Sequence, residues 1–243
     1  EERDLDFYRR NGSLESAALD GSDRRVVLAE GTFVTGKQLA GAWAGRRLYW
    51  SDREGAAVLS VSLDTAQVRS EVVVADTDQG RRVMRNQCVG VAVDEQDGWL
   101  YWTQKGPADG GDGRILRAPL EIPVGQTPDS RSVEELWTDL PEPIDLELDL
   151  SAGVIYWTDR GTPPRGNTLN RASVPAGGQS GGPVEILSVG FREAIGLALD
   201  TESGIAYVSD LSGEIRAVAL DGTGERVVAI VPGGLTGIAG IRE

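Results

Sequence analysis

The segment Pro143-Ile144-Asp145-Leu146-Glu147-Leu148 sets two carboxyl groups two residues apart in an apolar run. In an extended strand alternate side chains share a face, so Asp145 and Glu147 would stand together, about 7 Å apart along the strand. Carboxyl groups in a confined apolar place must be hydrogen-bonded, paired, metal-bound or protonated. The chemistry open to them is proton transfer, substrate binding or cation ligation. The alternative is a carboxylate that ties down backbone N–H groups or pairs with a structural arginine. Asp145 and Glu147 are therefore the candidate catalytic residues. Other chemistries lack their parts. The chain has no histidine, which removes the commonest general base, the Ser-His triads and the usual zinc ligand. Its one cysteine, Cys88, opens an apolar strand and reads as a small buried hydrophobe. With no activated nucleophile in view, positioning, hydrogen bonding and carboxyl acid–base work remain.

The charge balance narrows the partners. A formal net charge of −14 over 243 residues argues against nucleic acid, because phosphate neutralisation needs a basic face. No run of about 18 apolar residues exists, so no membrane span is expected. The chain starts at Glu1 rather than Met. That is compatible with a removed leader, and no compartment is assigned. Asp109, Asp112 and the glycines of 106–113 are spaced loosely like a calcium loop but lack the terminal Glu, and read as a hairpin tip.

The elements that must position the two carboxyls are repeated. Leu48-Tyr49-Trp50-Ser51-Asp52, Leu100-Tyr101-Trp102-Thr103-Gln104, Ile155-Tyr156-Trp157-Thr158-Asp159 and Ala206-Tyr207-Val208-Ser209-Asp210 are copies of one phrase, with a degraded fifth copy at Leu5-Asp6-Phe7-Tyr8. Each follows a Gly/Ala-rich apolar strand such as Val89–Asp94 or Ile195–Asp200 and precedes two more strands, often joined by Asp-Gly. Asp-Gly between apolar runs is a strong hairpin signal. Five- or six-residue segments with period-two alternation and no helical stretch predict antiparallel β-structure. Four-stranded units at this period predict an all-β fold, a β-propeller of four-stranded antiparallel blades in a single domain over residues 1–243. Five blades are expected, with six as the alternative. The C-terminal run Leu235-Thr236-Gly237-Ile238-Ala239-Gly240-Ile241 matches a first strand and residues 4–8 match a second strand. Pairing of the C-terminal strand with the N-terminal blade is thus expected to close the ring and remove its open edges.

Tyr156-Trp157-Thr158-Asp159, in register with Gly196-Leu197-Ala198-Leu199-Asp200, resembles the low-density lipoprotein receptor class B, or YWTD, propellers. Gln104 replaces Asp in one copy, and no Cys-rich modules flank the repeats. The resemblance implies a receptor-like protein-binding module as one function. Standalone propellers of this kind also imply an enzyme of microbial natural-product pathways, a fungal cyclase of the hetero-Diels–Alder type. A third implication is a calcium-dependent lactonase-like hydrolase, with Glu142, Asp145, Glu147, Asn86 and Glu193 as an ion's ligand set.

Repetition serves the scaffold, so function is sought where the repeat breaks. Counting back from Asp94, the first-strand position of Gly90 is held by Ala40, Gly90, Asp145, Gly196 and Gly237, and that of Ala92 by Ala42, Ala92, Glu147, Ala198 and Ala239. Small residues suit strands crowded around an axis, and one blade departs with two carboxyls. Lys37, Gln87, Glu142, Glu193 and Gly234 precede these strands and would rim one mouth. Loops sharing that mouth collect eleven cations, among them Lys37, Arg53, Arg85, Lys105 and Arg160. They form an electropositive funnel or a solvated, self-neutralised rim. Phe33, Met84, Phe191 and Trp43 line an apolar pocket or plug the ring. The reading that follows is an enzyme on a small organic molecule in an axial pocket, a non-covalent cyclase without a required cofactor. Asp145 and Glu147 are its catalytic pair. Lys37, Trp43, Arg85, Gln87, Glu142, Phe191 and Glu193 are its substrate contacts.

Overall fold

A computed structural model describes residues 6–241. Among them lie four four-stranded antiparallel sheets and one two-stranded sheet. The small sheet pairs β1 (Gly12–Ser16) with β2 (Arg25–Phe33). The first blade is β3 (Gly36–Ala42), β4 (Arg47–Asp52), β5 (Ala57–Ser62) and β6 (Val68–Val73). The second is β7 (Cys88–Asp94), β8 (Trp99–Gln104), β9 (Gly113–Pro119) and β10 (Glu134–Leu140). The third is β11 (Pro143–Asp149), β12 (Val154–Asp159), β13 (Thr168–Ser173) and β14 (Glu185–Val189). The fourth is β15 (Ala194–Asp200), β16 (Ile205–Asp210), β17 (Glu214–Ala219) and β18 (Glu225–Ile230). In every blade the chain order is the sheet order. The first strands β3, β7, β11 and β15 stand next to one another and line a common cavity.

The propeller of four-stranded blades is as expected, but among the described residues the blade count is four, not five or six. The fifth repeat fails because its inner half forms no ladder. Residues 231–241 carry no strand, although Ile238 lies against Gly196 and the Leu235 N–H bonds to the Asp210 carbonyl at 3.1 Å. Tyr8 and its neighbours form a turn. The expected closing partner at 4–8 lies partly outside the described residues, and no pairing between the two termini is present among those described.

The repeated phrase performs three structural tasks. Its Tyr and Trp residues fill the layers between sheets: Tyr49, Trp50, Tyr101, Trp102, Tyr156 and Trp157 are all buried. Such burial contributes ~2–3 kcal/mol per ring. Its Ser or Thr ties one blade to the next. Ser51 Oγ donates to the Gly90 carbonyl (2.9 Å), Thr103 Oγ1 to that of Ile144 (2.7 Å) and Thr158 Oγ1 to that of Ile195 (2.7 Å). Ser209 Oγ, where the next suture would fall, has no partner among the described residues. Its Asp caps backbone. Asp52 accepts from Val34 and Thr35 N–H, Asp159 from Glu142 and Gly161 N–H, and Asp210 from Arg192, Ser212 and Glu214 N–H. The same side chain therefore fixes both the loop leading into a first strand and the hairpin after the second.

A short helical turn, α1 (Asp78–Arg81), interrupts the expected loop, capped by the Thr77 side chain accepting from Gly80 N–H. A 3-10 turn follows at Met84–Asn86. The alternation-based reading missed both because each spans at most four residues.

Candidate functional site in the axial cavity

Every first strand is bulged at its start. The register slips between Gly36 and Leu39 in β3, Cys88 and Val91 in β7, Pro143 and Leu146 in β11, and Ala194 and Gly196 in β15. A bulge re-aims the extra residue, and here it aims side chains at the hub. Strand pairing corrects the alignment made from sequence. Gly36, Cys88, Pro143 and Ala194 each face the last residue of the Tyr-Trp strand. The hub position is thus Gln38, Gly90, Asp145 and Gly196, and the next inward position is Ala40, Ala92, Glu147 and Ala198. The first blade was read two residues out because it lacks the terminal Asp of the others; Ala42 stands in that place.

Crowding at the hub is severe. A Cβ on Gly90 would fall 2.3 Å from the Ile144 carbonyl oxygen, and one on Gly196 would fall 2.7 Å from the Ile238 nitrogen. Two blades nevertheless carry large polar side chains there. Gln38, which sequence reasoning missed, stitches three blades. Its Oε1 accepts from Val91 N–H (2.9 Å) and Leu146 N–H (3.0 Å). Its Nε2 donates to the Leu146 carbonyl (2.8 Å) and to Glu147 Oε1 (3.3 Å). The signal that could have found it was the unpaired polar residue beside Lys37 in an otherwise apolar strand.

The cavity encloses about 1020 Å³ and runs along the axis. Lys37, Arg53, Lys105 and Arg160 stand at the end where the first strands begin; Trp43, Leu148, Leu150 and Leu199 stand at the other. Asp145 and Glu147 lie between them on one face of β11, as the alternation predicted. Asp145 is only 6% exposed, and its backbone N–H donates to Thr158 Oγ1 (3.2 Å). Burial, then the charge of Glu147, push the Asp145 carboxyl up to about 8, against the opposing pull of the Leu197 N–H and of Lys37. Burial pushes Glu147 up to about 7, partly countered by the Gln38 hydrogen bond. The two titrate as a coupled pair. Burial, helped by the neighbouring Arg53, lowers the Lys37 ammonium. Desolvation therefore outweighs the attraction between Lys37 and Asp145, and all three groups are biased toward neutrality.

The other expected contacts divide. Lys37 and Trp43 line the cavity; Trp43 is 70% exposed at the far mouth, beyond β3 rather than in it. Glu142 is buried just outside, held by Lys105 (2.9 Å) and Arg160 (3.0 Å). Glu193 is exposed on the rim, 3.5 Å from Arg160. Three residues lie away from the cavity wall. Phe191 is packed in the core between the third and fourth blades with Arg216 stacked on its ring at 4.3 Å. Arg85 is drawn off by its ion pair with Asp112. Gln87 is buried behind the rim, its carbonyl accepting from the Lys105 N–H. Of the cationic loops, Arg81 pairs with Asp78 and Arg82 stacks on Tyr8, so only four of the eleven cations reach the cavity. Cys88 is buried, its thiol pushed up to about 12 by desolvation. The proposed ion-ligand set is not assembled. Glu142 is neutralised by two cations, and the Asn86 amide donates to the Gly80 carbonyl. Among the described residues no three His, Cys, Asp or Glu side chains gather closely enough to share a metal ion. No helix there is long and apolar enough to cross a membrane.

No family model matches the chain. A protein of Pyricularia oryzae named low-density lipoprotein receptor-related protein 1 is 45% identical over 239 residues, covering 94% of this chain and 76% of that protein. A 3-hydroxyacyl-CoA dehydrogenase-like protein of Cochliobolus heterostrophus is 37% identical over 225 residues, but the chain spans only 47% of its length. Among solved structures, a chain of a nidogen/laminin complex superposes with a TM-score of 0.68 at 18% identity, covering 93% of this chain and 76% of that one. A gluconolactonase from Xanthomonas campestris superposes with a TM-score of 0.55 at 23% identity, covering 84% and 66%. Both structural likenesses speak for the fold alone. The repeated Tyr-Trp strands, the blades they build and the 45% identical relative place this chain in the low-density lipoprotein receptor-type β-propeller family.

Proposed function

We propose that the chain is an enzyme acting on a small organic molecule in its axial cavity by non-covalent acid–base catalysis. Asp145 acts as the acid and Glu147 as the base. The observation that carries the reading is a buried carboxyl with a half-buried one beside it on the cavity wall of one blade, where the equivalent residues of two others are Gly and Ala. The frame gives each carboxyl one partner, the Leu197 N–H for Asp145 and the Gln38 amide for Glu147, which offsets only part of the cost of burying it. The pair's environments differ in a useful way. Both carboxyls are held toward their neutral forms, Asp145 the more deeply buried of the two, while the Gln38 N–H eases ionisation of Glu147, so Glu147 is the first of the pair to give up its proton. In a coupled pair of this kind the first group to ionise serves as base and its protonated partner as acid. Asp145 would donate to a developing oxyanion while Glu147 takes a proton from the opposite end, with Gln38 fixing the carboxylate. Cyclisation or isomerisation, including cycloaddition of the hetero-Diels–Alder type, suits such a site, since it needs orientation and proton placement but no nucleophile. The dehydrogenase-like name of one relative does not transfer. Every strand pairing among the described residues is antiparallel, whereas dinucleotide sites are built on parallel βαβ units.

The test is metabolite profiling of the native host carrying wild type, Asp145→Asn or Glu147→Gln. The expected result is loss of one product and accumulation of a precursor of equal mass. Unchanged profiles in both variants would overturn the reading. A second reading, a protein-binding propeller, is favoured by the receptor-like name of the 45% identical relative and by the outer strand β18, where Val227, Val228 and Ile230 face solvent. It predicts that charge substitutions on β18 abolish function while those at Asp145 do not.

A further inference from the structure

The two ends of the cavity differ, one cationic and the other apolar. Lys37 sits in the bulge of β3 and Trp43 just past that strand's end. Six residues of extended chain separate them, about 20 Å. Among the described residues, three of the four cations at the first mouth are already neutralised. Arg53 pairs with Glu54 (2.6 Å), Lys105 with Glu142 (2.9 Å), and Arg160 with Glu142 (3.0 Å) and Glu193 (3.5 Å). Lys37 makes no ion pair and no side-chain hydrogen bond with any described residue, although it is half-buried and lines the cavity. A half-buried ammonium with no ion pair loses part of its hydration, and a bound anion would restore that lost stabilisation. Arg53 and Arg160 repel it while Glu54 and Asp145 attract it, and with burial the balance still lowers its hold on the proton. Of the carboxyls that act on it, Glu54 is engaged by Arg53 and Asp145 is held toward its neutral form, so neither supplies a full counter-charge. At the opposite mouth Trp43, Leu148, Leu150 and Leu199 offer an apolar wall with no charge among them.

We infer that the cavity takes an amphipathic organic acid, its carboxylate on the Lys37 ammonium and its apolar body against Trp43, Leu148, Leu150 and Leu199. This rests on the reading that the axial cavity is the substrate site, and it names the substrate class. An anion there completes the electrostatics of the first mouth, and an apolar body covers the far one. The neutral carboxyl of Asp145 donates to the bound molecule rather than repelling it. A cationic or uncharged amphiphile of the same length satisfies the second requirement but not the first.

The experiment is titration calorimetry with dodecanoate and dodecyltrimethylammonium below their micelle concentrations and dodecanol below its solubility limit, against wild type and Lys37→Gln. Saturable one-to-one binding of dodecanoate is expected, at least tenfold tighter than dodecanol and tighter still than the ammonium. Lys37→Gln should erase the tenfold preference and leave dodecanol unchanged. Equal affinities for acid and alcohol in wild type, or a preference that survives Lys37→Gln, would overturn the inference. So would the absence of dodecanoate binding. None of these outcomes touches the acid–base reading, which stands or falls with the Asp145→Asn metabolite profile. Conversely, the expected acid preference alongside an unchanged Asp145→Asn profile would leave an acid-binding propeller without the proposed catalysis.

Discussion

Asp145→Asn should flatten the dependence of stability on pH. The Asp145 carboxyl ordinarily titrates near 3.8 and is pushed up to about 8 by burial beside Glu147. Between those values the fold keeps a proton that the unfolded chain releases, so the native state binds more protons and stability falls as pH rises. The penalty is absent below about pH 4 and grows until the folded carboxyl ionises. One retained proton changes stability by about 1.4 kcal/mol per pH unit. From pH 5 to 7, Asp145 alone should therefore remove about 2 to 3 kcal/mol. Glu147, pushed up to about 7, adds a similar slope over the lower part of that window. Asp159, pushed up to about 6, adds to the slope below pH 6 in wild type and variant alike. Asn has the shape of the neutral acid and no proton to lose. The variant should match wild type near pH 4 and exceed it by about 4 kcal/mol near pH 7. Urea unfolding followed by tryptophan fluorescence at half-unit pH steps reads both curves. Parallel curves would refute the placement of Asp145 as an unpaired buried acid.

Other expectations concern the frame around the site. Thr158→Val removes the Oγ1 bond to Ile195 and the acceptor for Asp145 N–H, and should cost about 1–3 kcal/mol. Ser209→Ala, at the equivalent position but without a partner, should stay within about 0.5 kcal/mol, both read by thermal unfolding. Gly90→Ala drives a methyl into the Ile144 carbonyl and should cost about 3 kcal/mol or abolish soluble expression. Glu142→Gln strands the buried Lys105 ammonium and should cost about 3–5 kcal/mol, measured by urea midpoint.

Much of this was legible in the chain because the repeat states its own geometry. Tyr-Trp-Thr-Asp encodes, in four consecutive residues, an inter-blade ring pair, a suture to the next blade and a backbone cap. Any departure from it is visible against its copies, which is how Asp145 and Glu147 stood out. Gln38 was invisible because the first blade lacks the Asp that anchors the alignment, and a two-residue offset exchanges hub and interior positions. The blade count failed for a different reason. Residues 235–241 match a first strand in composition, but a strand exists only where a neighbour supplies hydrogen bonds. Phe191, Arg85 and Gln87 were assigned to the cavity by loop position. Their actual partners, Arg216, Asp112 and the Lys105 N–H, come from other loops that no local pattern links to them.

The central claim is that a coupled acid pair at the hub gives up its protons only near and above neutral pH. Carbon-13 titration of the side-chain carboxyls in the intact chain tests it most directly. Two carboxyl resonances are predicted to titrate above pH 6.5, one of them vanishing in Asp145→Asn and the other moving to lower pH. Carboxyls that all titrate below pH 5 would contradict the account.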